Sequence, residues 1–216
     1  MNVYFLSGLG ADERAFSFLQ LDFCNPVFIP WIKPQDEEET LPSYAGRISE
    51  LIKEPAPVIV GLSFGGMLAT EIASVNPSAK AILISSAKHH KEIPFYLRMW
   101  RKFPLYRFVP SKFAKAVSKP LCRLFMNASS RKEMHVLNNL LNDADVDFNL
   151  WAVDAVLNWK NNIVPPNVTH IHGTGDKLLP YSYVKADYTI EGGTHLMIMN
   201  NAKEISGLLK SLIHKS

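Results

Sequence analysis

The stretch Val58-Ile59-Val60-Gly61-Leu62-Ser63-Phe64-Gly65-Gly66-Met67-Leu68-Ala69-Thr70-Glu71-Ile72-Ala73 decides how this 216-residue chain is read. A short β-branched run bounded by Pro57 predicts a buried parallel strand. The segment from Phe64 holds good helix formers and reaches a stop signal at Asn76-Pro77, so it predicts a helix. Ser63 falls between the two, at the apex of a sharp turn that its flanking glycines permit. A serine presented on such a hinge is a candidate nucleophile. Gly-x-Ser-x-Gly by itself is weak evidence, because chance supplies it about once in ten to twenty chains of this length at ordinary Gly and Ser usage. The strand before it and the helix after it carry the reading.

Outward from Ser63, strand-like apolar runs at 3–6, 27–32, 58–60, 81–84, 168–171 and 188–190 alternate with helix-like segments at 12–21, 41–53, 64–75, 148–159 and 201–214. Such alternation predicts a parallel sheet with helices on both faces. Sites in such sheets form at the carboxyl ends of the strands, where Ser63 stands. More than eighty residues between the runs at 81 and 168 lack a clear strand. Residues 88–144 within them read as a helical cap lying over a core made of 1–87 and 145–216. The acidic run 36–39 reads as a solvated helix start.

Composition fits a globular protein: 47% of residues are hydrophobic and 20% charged. The length suits one domain with an insertion. No run approaches the ~20 apolar residues of a membrane span. The first eight residues lack a basic start and a long apolar run, so they read as a first strand rather than a secretory signal, and the expected location is cytoplasmic. Cys24 and Cys122 form no CxxC pair and read as thiols of a reducing compartment.

The net charge of +3 hides an asymmetry. Residues 88–132 hold twelve basic side chains against one acid, and the remainder holds eleven against nineteen. Trp100, Phe103 and Tyr106 are interleaved with these cations and are the candidate substrate contacts of the cap. A basic, aromatic cap suits an anionic or carrier-bound acyl substrate, an acidic partner or a membrane surface. Equally open is that the aromatic rings pack onto the sheet while the cations face water. No nucleic-acid module is recognisable, so no nucleic-acid partner is expected.

A serine hydroxyl needs a base to remove its proton, and the base needs an acid to fix its tautomer. His195, in Gly192-Gly193-Thr194-His195, lies just beyond the last strand and is the candidate base. Asp176, in His172-Gly173-Thr174-Gly175-Asp176-Lys177, follows the penultimate strand and is the candidate acid. Asp187 precedes the final strand and should lie at the wrong end. His89 and His90 follow the run at 81–84 among cap cations and read as surface residues, with a substrate contact as the alternative; His135 falls on a cap helix and His214 near the end of the chain. His170 and His172 alternate along a strand, but no further ligand spacing completes a metal site, so they read as structural. Asp143, Asp145 and Asp147 mimic a calcium loop whose sixth position would be Phe148 rather than Gly, so they read as helix caps. Gly8-Leu9-Gly10 is followed by Glu13 where a dinucleotide loop needs Gly. No cofactor and no metal are therefore expected.

The order Ser63, Asp176, His195, with the Gly-x-Ser-x-Gly turn and the alternating sheet, resembles the α/β-hydrolase superfamily over nearly the whole chain. The resemblance implies a mostly parallel central sheet of about six strands flanked by helices. It also implies a helical cap inserted before the last two strands. The chain lacks the antiparallel pair with which the family begins. The resemblance further implies an oxyanion hole built from the backbone amides of Phe64 and Leu9. The loop that supplies Leu9 reads Ser7-Gly8-Leu9-Gly10, with Ser7 where the family often has histidine. The expected activity is hydrolysis of a carboxylic ester or thioester through an acyl-enzyme on Ser63. Acyl transfer to another acceptor and C–C bond hydrolysis use the same triad and stay open, as does a non-catalytic binding protein on the same fold.

Overall fold

Strand β1 (Asn2–Leu6) is buried on both faces, which is why its sequence is a continuous apolar run rather than an alternating one. The computed structural model describes residues 1–102 and 130–214. In it, β1 pairs with β2 (Asn25–Phe28) on one side and β3 (Val58–Leu62) on the other. The sheet continues through β4 (Lys80–Ile84), β5 (Val168–Gly173) and β6 (Tyr188–Ile190), giving the order β2-β1-β3-β4-β5-β6 with every pairing parallel.

The described helices are α1 (Leu41–Ser49), α2 (Phe64–Val75), the short α3 (Phe95–Met99), α4 (Arg131–Asp143), α5 (Val146–Leu157), the one-turn α6 (Met197–Asn200) and α7 (Ala202–His214). Tyr4, Leu6, Ile59 and Leu83 face α1, α2 and α5. Val3, Phe5, Val60 and Ile82 face the opposite way, against α4, α6 and α7. Side chains alternate across a strand, so two half-cores grow from one sheet. No described helix is long and apolar enough to cross a membrane.

Strand order positions the site. The chain leaves β1 for β2 on one side and then returns to the other side for β3. The loops after β1 and β3 therefore diverge and open a crevice at their carboxyl ends. Ser63 closes β3, and the loop from Ser7 to Gly10 follows β1.

Local expectations fail where side chains or hydrogen bonds intervene. The second strand ends at Phe28 rather than 32: Ile29 still donates to the Phe5 carbonyl, but Pro30 has no N–H, and Trp31 and Ile32 turn into the core. The expected helix at 12–21 shrinks to a 3-10 turn, Glu13–Phe16, capped by Asp12 and pinned by Phe16 against Phe5 and Phe28. Helix α1 stops at Ser49, and i→i−3 bonds carry the chain on to Ile52. Asp36, Glu37 and Glu38 are exposed, as expected, but the run lies before the helix rather than starting it, and Glu39 is buried. Thr40 caps α1, and the Glu39 carboxylate is buried against Arg47 at 2.7 Å.

The acids at 143–147 do act in helix ends: Asp145 caps α5 by accepting from the Asp147 and Phe148 amides, while Asp143 pairs with Arg14. Not every cation of the basic stretch faces water. Lys88 is buried, and its ammonium lies 3.2 Å from the exposed carboxylate of Asp187.

Candidate active site

Ser63 sits at φ 50° and ψ −114°, a conformation that non-glycine residues rarely adopt. Several bonds hold it there. Its amide donates to the Ile84 carbonyl at 2.9 Å. Its carbonyl accepts from the Gly66 amide at 2.9 Å and from the Ser86 hydroxyl at 2.6 Å. Gly65 lies against the backbone of β1, where its amide donates to the Ser7 carbonyl; a Cβ there would collide with the Leu6 and Ser7 carbonyls. At Gly66 a Cβ would meet the Ser86 side chain. The glycines thus allow β1, β3 and β4 to converge under the serine.

The three residues expected to cooperate from separate loops come together. His195 Nε2 lies 3.0 Å from Ser63 Oγ, and His195 Nδ1 lies 2.7 Å from Asp176 Oδ2. Asp176 is 4% exposed and His195 2% exposed, so the pair is shielded from water. Asp176 Oδ1 accepts from the Leu178 and Leu179 amides at 2.9 and 2.8 Å, fixing the carboxylate plane. Burial alone would push the Asp176 carboxyl up, but His195, the Leu179 amide and His172 together hold it below its ordinary range. With Asp176 ionised, Nδ1 of His195 carries the ring proton and Nε2 is left to accept from the serine hydroxyl.

Asp187 is occupied elsewhere. Its carboxylate accepts from the His170 amide at 2.8 Å and pairs with Lys88. His90 and His135 are tied to Asn161 and Asn139, and the His214 ring stands edge-on to Phe23. His170 and His172 are wholly buried.

The backbone amides of Leu9 and Phe64 donate to no other group among the described residues. Ser7 supports the loop of Leu9: its hydroxyl donates to the Ala11 carbonyl at 2.8 Å, and the Trp31 indole donates to the same carbonyl at 2.9 Å. A cavity of about 850 Å³ opens beside this loop, walled by Gly10, Ala11, Trp31 and Phe148. Trp31 and Phe148 both pack on the Phe64 ring. Acids including Asp12, Asp145 and Asp154 form part of the cavity lining.

Of the expected cap contacts, Trp100 lies half exposed after α3, while Phe103 and Tyr106 fall outside the described residues. The α3 segment approaches the acid's loop, where Tyr96 meets Tyr183 edge-on at 6.4 Å. The sequence reading did not single out Ser86, since a lone serine two residues past a strand carries no signal. The part His172 plays beside Asp176 was likewise missed; a four-residue spacing from Asp176 was its only mark.

A sheet of this order with its serine turn and its Asp-His pair defines a class that sequence comparison also finds. The model of the Alpha/beta hydrolase family matches residues 3–207, and the chain belongs to that family. A hydrolase from Pseudomonas aeruginosa PA01 superposes with a TM-score of 0.75 at 13% identity, covering 99% of this chain and 89% of that one. A thermophilic esterase from Thermogutta terrifontis gives 0.71 at 15% identity, with 100% and 90% covered. A putative non-heme bromoperoxidase, BpoC, from Mycobacterium tuberculosis H37Rv gives 0.70 at 16% identity, with 98% and 91% covered. At such identities the likeness is one of fold. No curated protein sequence is a significant match.

Proposed function

We propose that the chain is a serine hydrolase that cleaves a carboxylic ester or thioester through an acyl-enzyme on Ser63. The observation that carries this reading is the continuous line from Ser63 Oγ to His195 Nε2 at 3.0 Å and from His195 Nδ1 to Asp176 Oδ2 at 2.7 Å. Ser63 Oγ attacks the acyl carbon while its proton passes to His195 Nε2. The carbonyl oxygen, now an anion, takes the amide hydrogens of Leu9 and Phe64. Collapse breaks the bond to the leaving alcohol or thiol, which receives the proton from His195. Water then repeats the sequence on the acyl-enzyme, releasing the acid and restoring the serine hydroxyl. Asp176 orients His195 and stabilises the imidazolium formed in each half. The residues need no cofactor for these steps.

Acyl transfer to a different nucleophile uses the same acyl-enzyme, and C–C bond hydrolysis the same triad. A binding protein without catalysis is disfavoured by the 3.0 Å contact between Ser63 and His195. The basic stretch at 88–132 supports an anionic or carrier-bound acyl donor. The acids around the cavity beside Gly10 favour a neutral or cationic group on that side.

The test is a panel of p-nitrophenyl esters and acyl-thioesters assayed with the wild-type protein, Ser63→Ala and His195→Ala, with and without candidate acceptors. The reading expects at least one substrate whose hydrolysis falls by about 10³-fold or more in both variants. Wild-type rates in Ser63→Ala contradict it. Product formed only with an acceptor present identifies an acyltransferase.

A further inference from the structure

One apolar surface stands apart from both half-cores. Helix α3 and the 3-10 turn that follows it, Trp100–Lys102, hold four large side chains in solvent. Phe95, Met99 and Trp100 are 56, 53 and 50% exposed, and Tyr96 is 42% exposed. At about 100° per residue, positions 95, 96, 99 and 100 share one face of the helix. The opposite face is anchored. Leu97 packs on the core shared with α1, α2 and α5, and Ile93, one turn earlier, is buried in it. Four such side chains within six residues differ from the scattered single exposures, such as Leu51 and Val75, that need no explanation. The loop bearing the exposed Ile163 is tied to the same part of the chain. There the Asn161 carbonyl accepts from the His90 amide, and the Asn161 side chain donates to the Lys88 carbonyl.

The charge around this face has one sign. Residues 88–132 hold twelve basic side chains and one acid, Glu92. Glu92 is buried, its carboxylate accepting from the Lys88 and Lys185 amides at 2.7 and 3.0 Å, so it places no acid on this surface. Lys91 and Arg101 lie on either side of α3 in the chain and are exposed, as is Lys160 next to Asn161. Asp187 is paired with Lys88. The acidic excess of the chain falls outside this stretch, part of it around the cavity beside Gly10.

We propose that the outward face of α3 docks on an anionic lipid surface, with its apolar side chains entering the headgroup region and the surrounding cations meeting the lipid charges. Trp and Tyr suit such a boundary because each has an apolar body and a polar tip. These side chains project from the helix rather than line a groove. A fluid lipid layer closes around projections, whereas a protein partner must present a matching pocket for each. The basic surroundings add an attraction that a neutral bilayer lacks. The inference is independent of the activity proposed for Ser63, because docking is read without turnover.

The test is sedimentation of the whole protein with vesicles of phosphatidylcholine, alone or with about 30% phosphatidylserine, at about 0.1 M salt. The vesicles containing phosphatidylserine are expected to bind at least about tenfold more tightly. Phe95→Ser combined with Met99→Ser is expected to weaken that binding by about tenfold or more. Both positions are exposed, so the variant should fold, and its thermal unfolding checks this. Trp100 reports the docked face directly. The other three tryptophans, Trp31, Trp151 and Trp159, pack in the core, so quenching by lipids brominated on their acyl chains is expected to fall on Trp100. No binding to phosphatidylserine vesicles overturns the inference and turns the search to an acidic protein. Equal binding to both vesicle types, undiminished binding of the double variant, or an unquenched Trp100 overturns it as well.

Discussion

The Ser86 hydroxyl donates to the Ser63 carbonyl at 2.6 Å, so the end of β4 holds the strained turn that presents the serine. A turn at φ 50° persists only if its surroundings over-determine it. Ser86→Ala removes one of the bonds that do so, worth about 1 kcal/mol. The expected outcome is kcat lowered about fivefold with KM within about twofold, because Ser86 is wholly buried behind the turn. Unchanged kcat would show that the turn holds without it.

Gly65 should tolerate no side chain. A Cβ there meets carbonyl oxygens of β1, which cannot move without parting the sheet. Gly65→Ala is expected to lose several kcal/mol, beyond the ~1–3 kcal/mol of ordinary overpacking. Chemical denaturation measures it, and a loss below about 1 kcal/mol would mean that the strands adjust.

How much of this was legible in the sequence follows from which interactions are local. The strand-turn-helix around Ser63 was readable because β-branched residues, glycines and the Asn76-Pro77 stop act within a few residues. Asp176 and His195 were readable because parallel sheets bring loops after successive strands to one edge. The helix expected at 12–21 was not, because packing of Phe16 on Phe5 and Phe28 outweighs its helix formers. Nor was the burial of Glu39: an acidic run looks solvated until Arg47, eight residues on, folds back over it. The Ser86 hydroxyl on the Ser63 carbonyl and the Ser86 amide on His170 Nε2 tie the serine turn to β4 and β5, the latter across more than eighty residues, a distance at which pattern says nothing.

The Glu39-Arg47 pair gives a stability prediction. The Glu39 side chain is 2% exposed and receives two charge-assisted bonds from Arg47, at 2.7 and 2.8 Å. Arg47→Ala leaves the buried carboxylate without its cation, held only by the Gln35 amide at 2.7 Å and the Ser43 hydroxyl at 3.5 Å, and is expected to cost about 3 kcal/mol, whereas Glu39→Gln with Arg47→Met should cost clearly less. Equal losses in thermal or denaturant unfolding would remove the pairing argument.

Asp176 also sets a pH dependence. Burial raises its carboxyl and its partners more than offset that, leaving it below the ordinary 3.8. A depressed folded value means that its stabilisation is present above the unfolded value and lost as pH falls through the folded one. The Tm gap between wild type and Asp176→Asn should therefore be widest near neutral pH and close below about pH 4. A gap independent of pH would place the effect of the substitution in packing rather than charge.

The central claim is that Ser63 is a nucleophile activated by His195. The most direct measurement is treatment with a fluorophosphonate probe followed by mass spectrometry of the intact and digested protein. The account predicts one adduct per chain, on the peptide containing Ser63, absent in Ser63→Ala and slowed by at least about 10²-fold in His195→Ala. No adduct on the wild-type protein, or equal labelling of Ser63→Ala, would contradict it.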